Sequence, residues 1–598
     1  MSSSSVPERE DIDTEYRWDL ESIYETTEEW EAAFDAVDQR LDDLRAYEDA
    51  VVDDGATLLD ALEERDSIMR EVSMVSAYAR MRSDEDTRNQ EYQALQSRAG
   101  SLAADARSAA SFIEPAIQSL SRDDLEAMIE TTDGLELYEQ YLDDVFRMKP
   151  HTRSAEVEEL LSELGEVLGA PGDIYSMLTN ADMTYPTVEG PDGEDVEITQ
   201  SNFTTLLKES DRAFRQTVHE AFYEELAEVR NTVGASLRNA VKKDVKVARA
   251  RHYDTARAAA LDDPNVPVEV YDTLVETVRD NLDRLHRHAE LKARALDVDE
   301  LEMWDVYMPL VTSESPDVEY DQAAEYVVDA VAPLGEQYQT QVAEGLESRW
   351  VDVYENRGKR SGAYSSGTYD TQPFILMNYQ DDISSMYTLA HELGHSMHSE
   401  LASEAQPYVY SNYEIFVAEV ASTVNETLLT HHLLETVEDE RFRRHVLNEY
   451  LERIRSTLYR QTMFADFEHQ IHTVAEEGGA LTPDEFDERY GDLKREFYAP
   501  ANVDDHITRE WMRIPHFYYN YYVYQYATGI SAAAALVEDI LEDGDDAADR
   551  YLEFLQRGSR EYPLELLRTA GVDMATADPI ESALGVYGDY LDEMASLL

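Results

Sequence analysis

The chain has 598 residues, of which 50 are Lys or Arg and 127 are Asp or Glu, so its formal net charge is −77. Such a chain is not expected to bind nucleic acid or an anionic membrane, because phosphate contacts need clustered basic side chains. With 43% hydrophobic residues it can bury a large core, which excludes wholesale disorder.

The sequence contains no cysteine, so disulfides, thiolate ligands and cysteine nucleophiles are excluded, and any metal must be held by His, Asp or Glu. Residues 2–5 are all serine and charges follow, without the apolar segment of a signal peptide. No stretch has the roughly 20 apolar residues of a membrane span. We expect a cytoplasmic protein with a flexible N-terminus over residues 1–17.

Apolar residues recur at helical spacing through most of the chain, as at Leu58, Ala61 and Leu62, which predicts a mainly α fold. Breaks are predicted at residues 149–150, 169–173 and 185–193, where Gly, Pro and Asp accumulate. We place a domain boundary at the last break, which follows a helical N-terminal region. The prediction is therefore an N-terminal region over 18–198, ending in a short hairpin at 187–198, and a catalytic region over 199–598.

Residues 350–379 are rich in glycine and aromatic residues and contain short runs that suit strands better than helices. We predict a small β-sheet there, followed by a helix over residues 384–401.

That helix contains His391, Glu392 and His395 in a His-Glu-x-x-His pattern. Residues four apart lie on one helix face, so both imidazoles can reach a single Zn²⁺ at about 2.0–2.1 Å. Glu392 lies beside the open coordination position. There it can take a proton from an attacking water and deliver it to the leaving amine, which is the chemistry of peptide hydrolysis.

A catalytic zinc needs a third protein ligand. The elongated zincin pattern requires Gly and His where this chain has His398 and Leu401, so that class is excluded. His398 lies about 10.5 Å along the helix axis from His391 at 1.5 Å per residue, so we assign it a structural or substrate-side role.

A second helix, predicted over residues 412–434, offers the third ligand. Glu419 is surrounded by apolar residues in the stretch 416–422, and such a carboxylate is more often buried and bound than solvated, so we choose it as the ligand. Glu426 lies two turns further along the same face, where it can hydrogen-bond the free ring nitrogen of a zinc histidine. The alternative for Glu426 is an ordinary surface residue.

An aromatic cluster follows far downstream, in residues 511–529. Tyr521 and Tyr524 are three residues apart, so on a helix they would share a face and their hydroxyls could stabilise the oxyanion formed on a peptide carbonyl. His516 could donate as well. The alternative is an aromatic stripe that only packs in the core.

Together these stretches resemble the thimet oligopeptidase family of zinc peptidases, and most closely its oligoendopeptidase F branch. The resemblance extends from Trp18 to near the C-terminus. The stretches that carry it are 358–364, 373–379, 391–398, 416–423 and 514–520.

The resemblance implies an almost entirely helical ellipsoid with a deep substrate channel, which admits short unstructured peptides and excludes folded proteins. It implies one Zn²⁺ per chain, Glu392 as general base, and substrate backbone paired with the edge of the small sheet. It also implies that a histidine and two tyrosines contact the scissile carbonyl. They fall here on His516, Tyr521 and Tyr524, with Tyr522 as an alternative because the spacing differs from that of the animal enzymes. The residues implied to hold the zinc are His391, His395 and Glu419, supported by Glu426.

The predicted function is thus a broad-specificity zinc oligoendopeptidase. One alternative is a zinc exopeptidase, although no Gly-x-Met-Glu-Asn type segment that captures a free amino terminus precedes His391. The other is a non-catalytic peptide-binding scaffold, which would be expected to have lost Glu392.

The composition predicts a dependence on salt. Only eight of the 50 basic residues are Lys, and an acid-rich, Lys-poor composition resembles that of proteins from salt-accumulating halophiles. Repulsion within so charged a chain is screened at 1 M salt, where the Debye length is about 3 Å. We expect the melting temperature to rise with KCl or NaCl concentration, and a melting temperature indifferent to salt would contradict this expectation.

Overall fold

A computed structural model describes residues 6–313 and 315–598, and its mainly α character confirms the predicted fold class. The α-helices of the described residues are α1 Thr27–Arg45, α2 Gly55–Glu85, α3 Gln90–Ala110, α4 Ile113–Ser119, α5 Arg122–Thr131, α6 Glu139–Arg147, α7 Ala155–Glu163, α8 Gly165–Met177, α9 Phe203–Leu206, α10 Arg212–Glu228, α11 Arg230–Ala250, α12 Ala256–Asp262, α13 Val268–Asp280, α14 Leu282–Ala295, α15 Tyr320–Ala330, α16 Glu336–Glu347, α17 Ile383–Ala405, α18 Ile415–Thr436, α19 Glu440–Arg453, α20 Arg460–Glu476, α21 Pro483–Phe497, α22 Tyr524–Asp543, α23 Asp545–Gln556, α24 Pro563–Ala570 and α25 Asp578–Leu597.

The strands form two small sheets at the two predicted places. The hairpin pairs β1 (Thr187–Glu189) with β2 (Asp195–Glu197). The second sheet has the order β3-β5-β4, with β3 (Val351–Asp352) parallel to β5 (Phe374–Leu376) and β4 (Tyr364–Ser366) antiparallel to it. β4 is therefore an outer strand, and Ser365 is paired with Ile375.

The chain forms two compact units, each assembled from three segments. The first contains residues 1–150, 317–433 and 539–571, and the second contains residues 151–316, 434–538 and 572–598. Residues 151–198 therefore pack with residues that follow the predicted boundary, and the linear division at residue 198 does not describe the packing. Among the described residues, no helix is both long and apolar enough to cross a bilayer.

The core of the first unit lies among α1, α2, α3 and the three-stranded sheet. Trp30 of α1 is fully buried, and its indole N–H donates to the backbone oxygen of Val75 in α2 at 2.9 Å. Phe374 and Leu376 of β5 belong to the same cluster of buried side chains. The sheet is thus fixed to the helical core of its own unit.

Residues 6–17, within the segment predicted as a flexible N-terminus, are held by ion pairs. The Arg9 guanidinium contacts Glu85 at 2.7 Å and Asp352 of β3 at 2.6 Å. Lys359 contacts the same Asp352 at 2.6 Å, so this buried carboxylate is neutralised by two cations. Residues 1–5 of the predicted N-terminus lie outside the described residues.

The predicted break at residues 169–173 is wrong, because α8 continues through Pro171. The carbonyl of Pro171 accepts a hydrogen bond from the Ser236 hydroxyl of α11 at 2.5 Å. One turn later the buried ring of Tyr175 stacks on Tyr518 with the ring centres 4.6 Å apart. These tertiary contacts outweigh the local preference of Gly and Pro for a turn. The predicted break at 149–150 is confirmed, since α6 ends at Arg147 and α7 begins at Ala155.

Helices α17 and α18 approach each other closely at Gly394. A Cβ atom built on Gly394 would lie 2.6 Å from the backbone oxygen of Ala421 and 2.6 Å from the Cα of Ser422. Backbone atoms cannot give way as a flexible side chain can, so only glycine permits this spacing.

We therefore expect Gly394→Ala to lower the stability of the first unit, by about 1–3 kcal/mol as in other overpacked cores. Gly100→Ala in α3 is the matched control, because no atom lies within 4 Å of a Cβ at that position. Thermal melting in molar KCl should show a lower melting temperature for Gly394→Ala and an unchanged or higher one for Gly100→Ala. Equal melting temperatures for Gly394→Ala and wild type would contradict the packing argument.

Candidate active site

Helix α17 carries the two predicted zinc histidines. It begins after Asp382, whose carboxylate caps the helix by accepting from the backbone N–H of Ser385 at 2.7 Å. Its apolar side chains are buried, including Leu389 just before the pattern and Leu393 within it. His391 and His395 lie on the face that borders a cavity, with 27% and 18% of their side chains exposed. The predicted helix is confirmed.

Helix α18 carries the two predicted glutamates, in agreement with the second predicted helix. Besides the contact at Gly394, two hydrogen bonds fix it to α17. The hydroxyls of Tyr387 and Thr430 lie 2.8 Å apart, and the Asn425 amide donates to the backbone oxygen of Ala390 at 3.4 Å.

The packing of α17 on α18 brings three donor atoms together. His391 Nε2 lies 3.2 Å from His395 Nε2 and 3.4 Å from Glu419 Oε2, and His395 Nε2 lies 3.5 Å from the same oxygen. Tetrahedral zinc with bonds of about 2.0–2.1 Å has ligand atoms about 3.3–3.4 Å apart. The three donors thus fit one face of a tetrahedron, and two imidazoles with one carboxylate are a donor set that suits zinc.

Two further hydrogen bonds orient these ligands. Glu426 Oε1 lies 3.2 Å from Nδ1 of His391, on the far side of the ring from Nε2, the atom that faces Glu419. The Ser422 hydroxyl donates to Glu419 Oε2 at 3.0 Å. Such contacts fix the tautomer and the direction of a ligating side chain.

The charges of the site favour a cation between the imidazoles and Glu419. Burial would lower the pKa of His391, but the hydrogen bond with Glu426 and the charges of Glu426, Glu392 and Glu419 raise it to about 9. Burial would raise the pKa of Glu419, but the hydrogen bond with His395 and the charges of the two imidazoles lower it to about 2. A proton on His391 thus supplies positive charge where a metal ion could supply it instead.

Glu392 is nearly buried beside the ligands, at 6% exposure, and lines the cavity. Burial raises the pKa of Glu392, whereas the charges of His391 and His395 and a hydrogen bond from the backbone N–H of Ser365 oppose the rise. A carboxylate with a raised pKa in a cavity is suited to accept and return a proton.

The cavity has a volume of about 750 Å³. Its lining includes β4 with the residues that follow it and the polar face of α17. The Ser365 hydroxyl of β4 contacts the Ser396 hydroxyl of α17 at 2.9 Å, which fixes the strand beside this helix. An extended peptide could add to the outer strand β4 within this cavity.

His398 is not one of the grouped ligands. It is 1% exposed and stacks on Tyr413 with the ring centres 3.6 Å apart. Burial, together with the charge of His395, lowers the pKa of His398 to about 3, so the ring stays neutral. Of the two roles predicted for His398, its packing supports the structural one.

His516, Tyr521 and Tyr524 all belong to the second unit. Tyr521 and Tyr524 do not share a helix face, because α22 begins at Tyr524 and the backbone is left-handed at Asn520 and Tyr521, with φ of 48° and 57°. The predicted shared face is wrong for this reason. Both rings are buried, at 2% and 1% exposure, and both contact the ring of Tyr271. The Tyr521 hydroxyl also lies 3.2 Å from Nδ1 of His469.

The accessible part of the aromatic cluster is a different set of tyrosines. His516 is half-buried, and its Nε2 lies 3.4 Å from the hydroxyl of Tyr526. The half-buried ring of Tyr522 lies nearly parallel to the His516 ring, and Tyr519 is 57% exposed. A catalytic role for Tyr521 or Tyr524 stays a prediction that their burial does not support.

A second group of possible ligands lies in the second unit, at His219, Asp504 and His506. Its spacing is uneven, because His219 Nε2 is 2.9 Å from one oxygen of Asp504 and His506 Nδ1 is 3.9 Å from the other. The second oxygen also accepts from the backbone N–H groups of His506 and Ile507. Hydrogen bonds of Asp504 hold this group together. Its donor atoms fit a tetrahedral ion less well than those of the group on α17 and α18.

The sequence predicted the sheet, but it did not indicate that Ser365 of this sheet lies beside Glu392 and contacts Ser396. The Gly- and Ser-rich stretch 361–367 gave a signal that a strand lies there, but its register cannot be read from so short a pattern.

Comparisons with known proteins identify the relatives of this chain. The profile of Peptidase family M3 matches residues 205–586, and that of Oligopeptidase F matches residues 117–185. The predicted boundary at residue 198 falls between the two matches. The chain is 45% identical over 597 residues to oligopeptidase PepF of Bacillus subtilis, covering 100% of this chain and 89% of that protein. It is 40% identical over 591 residues to the group B oligopeptidase PepB of Streptococcus agalactiae, covering 99% and 98%.

Solved structures give the same result. A putative peptidase from Chlamydophila abortus superposes with a TM-score of 0.93 at 33% identity, covering 99% of this chain and 100% of that one. Oligoendopeptidase-F from Enterococcus faecium superposes with a TM-score of 0.74 at 35% identity, covering 96% and 99%. Profile, sequence and fold thus point to one group of peptidases, and the chain belongs to Peptidase family M3.

Proposed function

We propose that this M3 peptidase is a zinc-dependent oligoendopeptidase that hydrolyses internal bonds of short unstructured peptides. His391, His395 and Glu419 would hold the zinc. The observation that carries the proposal is the mutual spacing of their donor atoms, 3.2–3.5 Å, which suits a tetrahedral ion with one position open.

Bound Zn²⁺ supplies Lewis-acid chemistry, since it polarises a carbonyl oxygen and lowers the pKa of a water. Glu392 accepts the proton of the attacking water and passes it to the nitrogen of the leaving amine. The backbone of Ser365 lies beside the Glu392 carboxylate, and Glu426 holds the His391 ring. The residues of this chain thus provide the base, the proton carrier and the ligand orientation.

The shape of the cavity supports short peptides as substrates. A volume of about 750 Å³ is in the range of small-ligand sites and accommodates a few residues of extended chain. Pairing with β4 would use only backbone groups, which favours broad specificity. The names of the relatives, which are oligopeptidases, agree with this substrate class.

A role for His516 at the scissile carbonyl stays a prediction drawn from the sequence resemblance. Among the tyrosines considered from the sequence, we favour Tyr522 over Tyr521 and Tyr524, because it is the one whose ring is not fully buried. A hydroxyl must reach the developing oxyanion at about 2.7–3.1 Å to stabilise it, so exposure is a requirement.

The test is mass spectrometry of a peptide blocked at both ends, incubated with the zinc-loaded protein in molar KCl. We expect internal cleavage that a zinc chelator stops, and a loss of at least about 100-fold in kcat for Glu392→Gln, because the proton acceptor is removed. Glu404→Gln on the same helix is the control and should cleave at the wild-type rate. Cleavage of free-ended peptides only would indicate an exopeptidase, and no cleavage of either kind would indicate a binding scaffold.

Zinc binding should release protons. With a pKa of about 9, His391 holds a proton at pH 7.5 in the metal-free protein, and zinc must displace it. We expect about one proton released per zinc at pH 7.5, and an affinity that rises with pH up to about 9. Calorimetry in two buffers of different ionisation enthalpy measures this release. Glu426→Gln should reduce the release and weaken zinc binding about 10–100-fold. Binding heats that do not depend on the buffer would contradict the assignment.

A further inference from the structure

Arg80 on α2 lines the same cavity as the metal ligands and is exposed to solvent. Its guanidinium donates to the hydroxyl of Ser366 at the end of β4 and lies over the ring of Tyr364, 5.5 Å from the ring centre. A permanent positive charge is thus held at the wall where a peptide would pair with the sheet.

Arg80 differs from the other arginines of α2 in its partners. Arg65 pairs with Asp66 at 2.7 Å, Arg70 pairs with Asp370, and Arg82 pairs with Glu21 and Glu85 at 2.7 and 3.1 Å. Among the described residues, no carboxylate forms an ion pair with Arg80.

The nearest acidic candidate on α2 is already engaged. Asp84 lies one turn after Arg80, where an ion pair would normally form. One of its oxygens accepts from the Tyr364 hydroxyl at 2.7 Å and the other lies 3.4 Å from Arg360. Asp84 is also 3% exposed, so it stays with these partners in the protein interior. The Arg80 guanidinium therefore keeps hydrogen-bonding capacity for a group that enters the cavity.

The strand places Arg80 close to the bond that would be cut. The backbone of Ser365 lies beside Glu392 in the lining of the cavity, and the next residue, Ser366, contacts Arg80. Adjacent strand residues are about 3.3 Å apart, and their side chains point to opposite faces. Ser365 faces α17 through Ser396, so Ser366 and Arg80 lie on the α2 side of the strand. A peptide paired with β4 would direct every second side chain to that side.

We propose that Arg80 forms a subsite that binds a carboxylate of the substrate within about two residues of the scissile bond. The carboxylate is an acidic side chain or the C-terminal carboxylate of a short peptide, since a guanidinium binds both in the same bidentate geometry. The inference rests on the proposed peptidase function. Arg80 would give a site that otherwise binds the peptide backbone a preference for an acidic group. The carboxylates of Glu392, Glu400 and Glu419 in the same cavity would by themselves favour basic groups.

The test is a competition between paired peptides in one tube, read by mass spectrometry in molar KCl. In one set of pairs the peptides are blocked at both ends, and the members of a pair differ only by Glu or Gln at one of three positions on either side of the cleaved bond. A further pair compares a free with an amidated C-terminus at the same distances. The ratio of kcat/KM values within a pair does not depend on how much of the enzyme is folded.

We expect the wild type to prefer the carboxylate member about three- to tenfold at one position. The ratio should fall toward one in Arg80→Gln and be partly kept in Arg80→Lys. Arg70→Gln is the matched control, since it removes the same charge from α2 about 15 Å away along the helix, and it should leave the ratio at the wild-type value.

An unchanged ratio in Arg80→Gln, or no carboxylate preference in the wild type in any pair, would overturn the subsite. A preference confined to the Glu pairs identifies a side chain as the ligand, and one confined to the free C-terminus identifies the terminal carboxylate. Failure of the wild type to cleave any peptide would instead refute the proposed function, so the two failures are distinguishable.

Discussion

The candidate site depends on the close contact of two helices at one glycine. His391 and His395 lie on α17 and Glu419 on α18, so the distance between their donor atoms is set by how near the helices approach. At Gly394 that approach leaves no room for a Cβ atom. Because ligand atoms around zinc tolerate displacements of only a few tenths of an ångström, the helix contact is as necessary to the site as the ligands themselves.

Charge is balanced differently at the site than in the rest of the first unit. The buried Asp352 is neutralised by Arg9 and Lys359, whose side chains are positively charged at neutral pH. Glu419 instead faces two imidazoles, which carry positive charge only when protonated. Burial would raise the pKa of Asp352, but the charges of Lys359 and Arg9 lower it, so a carboxylate of the first kind stays ionised at neutral pH. A carboxylate of the second kind leaves a place that a proton or a metal ion can fill, which is the electrostatic difference between a structural ion pair and a metal site.

The aromatic cluster shows how far residue spacing can be trusted. A spacing of three residues indicates a shared face only within a continuous helix, and the backbone leaves the helical region at Asn520 and Tyr521. The backbone N–H of Tyr521 donates to the buried carboxylate of Glu468 at 2.7 Å, which fixes this turn. Glu468 lies more than fifty residues earlier in the chain, on α20. No local pattern around Tyr521 could have indicated that partner.

The sequence by itself determined the fold class, the positions of the small sheets, the two helices of the site, and the identity of the ligand candidates. These features follow from hydrophobic periodicity and from spacings of four residues, which a helix converts directly into geometry. Only the tertiary structure decided that α8 passes through Pro171 and that Arg9 pairs with Glu85 and Asp352. It also decided that Tyr521 is buried and that Arg80 borders the cavity. The physical reason is that these features arise from contacts between residues far apart in the chain, whose free energy outweighs local preferences and leaves no local pattern to read.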